Sequence, residues 1–372
     1  MALAPVRILG AGPAGLAAAI TLAAAGRAVD VYERRRDCGA RFGGDLQGLE
    51  NWSSDEDAAD ELARCGLDAD FHRAPFAEGF QTNGRRVDHM RFPRPAFYLV
   101  KRGRAPDTLD QGLKRRALDA GARLRFGETC DPAAADILAT GPRGLRPFAV
   151  DRGVVFRTDA PDLAAVLLDD RVAHKGYAYL LVTGGYGCLC TMLFDHFATV
   201  HEAFAAARAA LLARWPVRMW DERPVGGVGH FAGRPRWTAG RALVVGEAAG
   251  LQDFLWGFGI RSALRSGVLA ARALLGDAPR DALGAASGDA APAERYAREA
   301  AARFGPLVRS GVVNRALWEV LRHGRYEPAM AALRWGGPYA IMRAFHRFHP
   351  VQRALYPAAR RYVRRAYPHL AV

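Results

Sequence analysis

The sequence predicts an α/β fold that combines a parallel sheet, an antiparallel-sheet module and a helical C-terminal region. Three observations predict it: a strand, helix and strand pattern at the start, period-two apolar runs over about 148–237, and helical spacing after Pro292. The chain has 372 residues, of which 50% are hydrophobic and 24% charged, with a net charge of +14. This composition supports a sizeable core and excludes a mainly disordered protein.

A glycine-rich turn joins an apolar run at 6–9 to an alanine-rich helix pattern. Gly10 permits the tight turn, Gly12 lets a pyrophosphate approach the backbone, and Gly15 lets helix and strand pack closely. The free N–H groups at the start of the helix favour phosphate binding. The predicted phosphate-side residues are Gly10, Gly12, Pro13, Ala14 and Gly15.

A second strand pattern at 28–32 ends at Glu33, which completes a Rossmann-type dinucleotide unit. A carboxylate at this place can accept both ribose hydroxyls and repels a 2′-phosphate. Arg34 is assigned to the same cofactor site. Both FAD and NAD use this unit, so the choice between them rests on a later segment.

That later segment is a strand pattern at 241–245, followed by a glycine-rich loop and a helix pattern at 261–275. Such a helix start can stabilise negative charge on a reduced ring. The cofactor residues predicted here are Gly246, Glu247, Gly257, Phe258, Gly259 and Ile260.

The two segments resemble the flavin fingerprints of the group A FAD-dependent oxidoreductases, nearest the geranylgeranyl reductase branch. The resemblance implies FAD as the cofactor, with Glu247 in place of the usual aspartate that bonds the ribityl chain. The chain departs from the family at Phe254, which replaces a proline, and at Trp256 and Phe258, which make the flavin-facing loop aromatic.

Two further stretches agree with the resemblance. Residues 136–141 look like the strand that closes the FAD domain, which assigns Gly141 to the cofactor site, and 175–187 look like a geranylgeranyl reductase segment. Flavin halogenases carry a WxWxIP segment and a catalytic lysine. This chain lacks the segment and has three lysines without an evident counterpart, so halogenation is not expected.

The resemblance implies hydride transfer between flavin and a lipid-like or isoprenoid substrate, with an aromatic substrate left open. The alternatives are a flavin monooxygenase, or a non-redox protein that binds flavin or lipid at a membrane. Because there is no second dinucleotide unit, NAD(P)H is expected to dock only transiently as a reductant.

Candidate catalytic residues come from aromatic and sulfur side chains, since no hydrolytic triad is visible. They are Trp256, Phe258, Cys188 and Tyr177. Alternation in a strand places Cys188 and Cys190 on one face with Met192, either as a functional pair at the flavin or as small core residues. Together with the loop aromatics, Tyr177, Tyr179 and Phe194 could line an apolar pocket.

Two arginines complete the predicted cofactor site, Arg41 and Arg102. Glycines around Arg41 suit a contact with pyrophosphate or flavin, although Asp45 or Glu50 could instead hold it in a structural ion pair. No metal site is predicted, because the five cysteines form no CxxC pair and the histidines at 174, 196, 201 and 230 look isolated. The cysteine usage favours a reducing, cytoplasmic location.

The predicted domains are an FAD-binding domain at 1–147 and 236–277, a substrate domain at 148–235, and a basic helical region at 278–372 that starts with a loop. Residues 313–372 hold eleven arginines against two glutamates, a net of +9. Ile341, Met342 and Phe345 recur at helical spacing, so this tail either caps the fold or lies on an anionic membrane surface. Nucleic acid is not an expected partner, since no recognition fold accompanies the charge.

Overall fold

The computed structural model describes residues 3–142, 146–276, 290–370 and 372, and it confirms the predicted α/β class. The strands are β1 (Val6–Leu9), β2 (Val29–Glu33), β3 (Leu46–Glu50), β4 (Arg73–Phe76), β5 (Glu78–Thr82), β6 (Val87–Arg91), β7 (Phe97–Lys101), β8 (Arg123–Phe126), β9 (Ile137–Leu138), β10 (Ala149–Arg157), β11 (Leu163–Leu167), β12 (Tyr177–Thr183), β13 (Tyr186–Leu193), β14 (Trp220–Gly229), β15 (Thr238–Ala239) and β16 (Ala242–Val244). The helices are α1 (Pro13–Ala24), α2 (Ala58–Arg64), α3 (Leu109–Asp119), α4 (Val200–Arg214), α5 (Ile260–Leu275), α6 (Pro292–Leu321), α7 (Glu327–Gly336), α8 (Pro338–Phe345) and α9 (Pro350–Ala366).

The six-stranded sheet has the order β15-β16-β9-β1-β2-β8 and is parallel except at β15. Ile8 on β1 and Val31 on β2 are fully buried, as expected for strands covered on both faces. Helices α1 and α5 cross closely because Gly267 has no side chain: a Cβ there would lie 2.1 Å from the Ala14 carbonyl oxygen. The two glycine-rich loops therefore meet above one end of this sheet.

The seven-stranded sheet has the order β14-β10-β13-β12-β11-β5-β6 and is antiparallel except where β11 pairs with β5. Strands β5 and β6 come from the stretch 1–147 that was assigned to the FAD-binding domain. They extend the sheet of the middle module, because β5 pairs with β11 at Ala165 and Phe80. A third sheet, with the order β3-β7-β4, is formed by other strands of the stretch 1–147.

The C-terminal helices pack on the rest of the protein. Tyr296 on α6 is fully buried and donates a hydrogen bond to the Val244 carbonyl oxygen at 2.7 Å. Val363 on α9 is also fully buried, and Tyr367 after it is 3% exposed. The loop predicted after Asp277 and the predicted domain boundary at 277–278 lie outside the described residues. No helix within the described residues is long and apolar enough to span a membrane.

Candidate functional site

A cavity of about 1090 Å³ lies between the parallel sheet, the seven-stranded sheet and the C-terminal helices. The predicted site residues that line it are Gly10, Gly12, Pro13, Ala14, Glu33, Arg34, Arg41, Arg102, Gly141, Tyr177, Glu247, Trp256, Gly257, Phe258, Gly259 and Ile260. Gly15, Gly246 and Cys188 do not line it. The fold thus gathers residues that are up to 250 positions apart in the chain around one space.

The first glycine-rich turn is shaped for a ligand that approaches the backbone. Gly10 has φ +110°. A Cβ on Gly15 would lie 2.0 Å from the Gly10 carbonyl oxygen, so the missing side chain at Gly15 lets the turn pack closely against α1. At Gly12, in contrast, a Cβ would meet no protein atom within 4 Å. The space beside Gly12 therefore opens into the cavity, which fits the pyrophosphate role predicted for it.

Glu33 ends β2 at the rim of the cavity. Its carboxylate accepts hydrogen bonds from the backbone N–H groups of Ala11, at 3.0 Å, and Arg35, at 2.9 Å. These bonds fix the carboxylate beside the glycine-rich turn, and Arg34 lines the cavity next to it. A carboxylate held in this place is suited to accept further hydrogen bonds from ribose hydroxyls.

Arg41 joins the two predicted fingerprints. Its guanidinium lies 2.8 Å from Glu247 Oε2 and donates to the Val228 carbonyl oxygen at 2.6 Å. The alternative partners proposed from sequence are wrong, because Asp45 accepts the Gly43 N–H and Glu50 accepts N–H and O–H groups at 52–53. Arg41 therefore fixes the acidic residue of the second fingerprint against the loop of the first.

Arg102 lines the cavity, but its guanidinium is bonded within the protein. Its Nε and one terminal nitrogen each donate to Asp110 at 2.9 Å, and the other donates to Gln47 at 2.8 Å. The guanidinium also lies 4.1 Å from the centre of the Phe42 ring. Arg102 is 5% exposed, so its place is beneath the loop that carries Arg41.

The aromatic loop at 254–258 is held by ring packing. Phe254 is fully buried and stacks on Phe231 with ring centres 4.0 Å apart. Phe258 packs against the backbone of Gly48 and edge-on against Trp52, at 4.8 Å. The Tyr177 hydroxyl donates to the Trp256 carbonyl oxygen. Phe254 thus fixes the loop from the core side, where the resembling family has a rigid proline.

Cys188 and Cys190 lie on one face of β13, as predicted, with their sulfur atoms 3.6 Å apart. Both are buried, and neither lines the cavity. The hydrogen bond to Cys188 and burial raise the pKa of the Cys190 thiol. They pack with Leu46 and Val155, so their surroundings match the small core residues that the sequence left as an alternative.

Two histidines predicted to be isolated lie together. His174 and His196 stack with ring centres 4.1 Å apart, and with Asp195 they offer ligand atoms within 4.8 Å of one another. Each acidic group there already has a protein partner: Asp195 lies 3.1 Å from Lys175, and Asp170 lies 2.7 Å from Arg322. His174, Asp195 and His196 do not line the cavity.

The apolar end of the cavity comes largely from the C-terminal region, which sequence reasoning assigned to a cap or a membrane surface. Ile341, Met342 and Phe345 line the cavity, so the apolar face of α8 points inward. Further lining residues at this end are Phe80, Phe92, Leu317, Leu333 and His346. The helical spacing was visible in the sequence, but the partner of the apolar face was not.

Two titratable groups at the cavity were missed. His346 Nδ1 lies 2.7 Å from the Met342 carbonyl oxygen and Nε2 lies 3.7 Å from Asp253. Burial lowers the pKa of His346, but the neighbouring Asp253 holds it above its usual value. Burial and the charge of Asp45 raise the pKa of Asp151 to about 6. Neither residue stands in a recognisable motif, so no pattern in the sequence indicated them.

Fold and site together define a flavoenzyme-type architecture, and comparisons with known proteins agree. Residues 8–45 match the family described as NAD(P)-binding Rossmann-like domain. No curated protein sequence matches the chain.

Solved structures that are similar include a geranylgeranyl bacteriochlorophyll reductase-like protein from Thermoplasma acidophilum, with 18% identity over 85% of this chain and 86% of that one, and a TM-score of 0.64. The flavin-dependent brominase Bmp2 is 15% identical over 97% and 99% of the two chains, with a TM-score of 0.66. A probable FAD-dependent monooxygenase, pqsL of Pseudomonas aeruginosa, is 18% identical over 87% and 99%, with a TM-score of 0.58. The chain therefore has the fold of FAD-dependent oxidoreductases and halogenases, as the resemblance predicted.

Proposed function

We propose that this protein is an FAD-dependent oxidoreductase that transfers hydride between flavin and a lipid-like or isoprenoid substrate. The observation that carries the proposal is one continuous cavity, which has dinucleotide-type loops at one end and apolar side chains at the other. FAD, when bound, would supply the hydride chemistry, while the protein supplies binding, orientation and a dry pocket.

The residues present fit FAD. The open space at Gly12 and the start of α1 would take the pyrophosphate, and Glu33 the ribose of the adenosine. Glu247, held by Arg41, would face the ribityl chain, and the loop that ends at Gly259 would face the flavin ring. The start of α5 directs free N–H groups toward that loop, which favours negative charge on a reduced ring.

An apolar substrate fits the other end. Phe345, Leu317 and Phe80 lie on different elements and close this part of the cavity with hydrocarbon surface. Burying such a surface against a hydrocarbon chain is favourable at about 25 cal/mol per Å². A polar metabolite would lose its hydration there without compensating hydrogen bonds.

The lysines support the choice of reductase chemistry over halogenation, although Bmp2 shares the fold. Lys101 lies 2.7 Å from Asp107, Lys114 lies 2.7 Å from Asp37, and Lys175 pairs with Asp195. None of these lysines lines the cavity. Halogenation is therefore not part of the proposal. We propose in addition that NAD(P)H serves as a transient reductant and that the protein is cytoplasmic.

A membrane surface is the proposed partner of the exposed face of α9. Val351, Leu355 and Tyr362 are 62%, 40% and 41% exposed and recur on one face of this helix. Arg361 and Arg365 beside them are exposed as well. An apolar stripe flanked by arginines suits an anionic lipid surface, from which an apolar substrate could be drawn.

Anaerobic single-turnover kinetics tests the proposed reaction. The FAD-loaded protein is reduced with dithionite and mixed with geranylgeraniol as an isoprenoid probe. We expect the flavin absorption to return to its oxidised form and the probe to become more saturated. A probe left unchanged, together with a persistent flavin hydroperoxide spectrum after mixing with oxygen, would identify a monooxygenase instead.

A further inference from the structure

Asp151 lies in a row of cavity-lining residues that crosses four strands. It sits on β10 opposite Gly227 of β14 and Met192 of β13, and Met192 is in turn opposite Tyr177 of β12. Directly opposed residues of an antiparallel sheet point to the same face. All four line the cavity, so the Asp151 carboxyl faces the same space as the predicted flavin-facing loop.

Both ends of this row reach the predicted cofactor loops. The Met192 sulfur lies 3.6 Å from where a Cβ of Gly257 would stand, and the Tyr177 hydroxyl bonds to Trp256. On the other side, Arg41 bonds to Val228, the neighbour of Gly227. Asp151 is therefore placed between the aromatic loop and the Arg41 loop.

The carboxyl has room and lacks a committed cation. Gly227 has no side chain to cover it: a Cβ there would lie 3.1 Å from Asp151 Oδ1. Arg41 attracts the carboxylate, but its hydrogen bonds go to Glu247 and Val228. The other titratable groups that face Asp151 are Asp45, Tyr177, Tyr179 and Cys190.

We propose that Asp151 is the acid that donates the proton during reduction of the substrate double bond. This proposal rests on the proposed function. One carbon of the double bond accepts the hydride with its electron pair from the reduced flavin, and the π bond breaks. The π electron pair forms a C–H bond at the adjacent carbon with the Asp151 proton. The carboxylate that remains regains a proton from water.

Three other groups at the cavity that could carry a proton, Tyr177, His346 and Asp45, are already engaged. The Tyr177 hydroxyl donates a hydrogen bond to the Trp256 carbonyl oxygen. His346 has Met342 at one ring nitrogen and Asp253 near the other. Asp45 accepts the Gly43 N–H at 3.0 Å and is only 8% exposed. Asp151 also accepts backbone N–H groups, from Gly227 and from its own residue, but its carboxyl lines the cavity in the row between the aromatic loop and the Arg41 loop.

The test compares wild type with Asp151→Asn, Asp151→Glu and the exposed control Asp159→Asn, each loaded with FAD and reduced anaerobically. Mixing with geranylgeraniol gives the rate of flavin reoxidation. We expect Asp151→Asn to slow this step by about 10²-fold or more, with partial recovery in Asp151→Glu. The wild-type rate should fall as the pH rises through the pKa of the acid, and Asp151→Asn should lose this dependence. FAD affinity and the rate of reduction by dithionite should stay near wild type.

Either of two kinetic results would overturn the assignment: an Asp151→Asn rate equal to wild type, or an unchanged pH dependence in that variant. Failure of the wild type itself to reduce the probe is a different outcome, since it contradicts the proposed function and the proton-donor role together. Loss of FAD binding in Asp151→Asn would assign Asp151 to the cofactor site and also overturn the proposal.

Discussion

The Nε of Arg315 donates a hydrogen bond to the Phe254 carbonyl oxygen at 3.0 Å, which ties the C-terminal helix α6 to the aromatic loop. The same guanidinium donates to the carbonyl oxygens of Leu255, at 3.0 Å, and Lys175, at 2.8 Å. It also lies 3.8 Å from the centre of the Phe194 ring. One fully buried side chain therefore connects α6, the seven-stranded sheet and the predicted flavin-facing loop.

Replacing Arg315 should destabilise the fold and loosen the loop. Arg315→Met leaves two loop carbonyls without their donors and removes a cation 3.8 Å from the buried Glu319. We expect a loss of about 3–5 kcal/mol in the free energy of unfolding, measured by urea denaturation, because buried carbonyl oxygens lose the hydrogen bonds of a charged donor. FAD should also dissociate faster from the variant.

Arg361→Met is the matched control, since Arg361 is an exposed arginine on α9. Its unfolding free energy should stay within about 0.5 kcal/mol of wild type. Equal stability of the Arg315 and Arg361 variants would show that the buried bonds do not hold the loop.

Substitutions at two glycines of the first turn should affect FAD binding and stability separately. Gly12→Ala adds a methyl group where no protein atom lies within 4 Å, so the fold should persist while FAD affinity drops at least tenfold. Gly15→Ala forces a Cβ against the Gly10 carbonyl oxygen and should reduce the melting temperature instead. Fluorescence titration with FAD and thermal unfolding of the apoprotein measure the two effects. Unchanged FAD affinity in Gly12→Ala would contradict the assigned pyrophosphate position.

Asp151 should make stability depend on pH. Its pKa is about 6 in the folded protein, against the ordinary value of 3.8 that applies to an unfolded chain. The folded state therefore holds the proton of Asp151 more tightly than the unfolded chain does. The resulting stabilisation of the fold is fully present below pH 3.8 and is lost as the pH rises through about 6. Relative to wild type, Asp151→Asn should gain on the order of 3 kcal/mol between about pH 4 and pH 7.

Urea unfolding of the apoprotein across that range measures the difference. Asp159→Asn, which changes an exposed carboxyl, should show no such gain. If the difference in unfolding free energy between Asp151→Asn and wild type stays the same across this pH range, Asp151 has an ordinary pKa in the folded protein.

The exposed stripe on α9 should govern attachment to lipid. Leu355→Glu with Tyr362→Glu introduces negative charge where the side chains are 40% and 41% exposed. We expect much weaker sedimentation with phosphatidylglycerol-containing vesicles and little change in stability. Val363→Glu, on the buried side of the same helix, should unfold the region. Equal vesicle binding by wild type and the double variant would rule out this surface.

Much of the fold could be predicted because local patterns carried it. Gly10, Gly12 and Gly15 have few other uses between a strand and a helix, and period-two runs identified the strands around Tyr177 and Cys188. The two glycine-rich loops meet at one cavity because the parallel sheet brings the carboxyl ends of distant strands together.

The remaining features depend on long-range contacts that no local pattern contains. In the sequence, Arg315 cannot be distinguished from the exposed arginines around it. Its buried position follows only from the packing of α6 on the aromatic loop. Asp151 becomes unusual only because the sheet register sets Gly227 opposite it. The apolar face of α8 is equally suited to lipid or protein, and its contact with the cavity is decided by tertiary packing.

The flavin content of the purified protein shows whether the cavity binds FAD. We expect the chain and FAD to co-purify in equimolar amounts, or the apoprotein to take up equimolar FAD, as measured by chromatography of the released cofactor. Folded wild-type protein that neither contains nor takes up FAD would rule out a flavoenzyme.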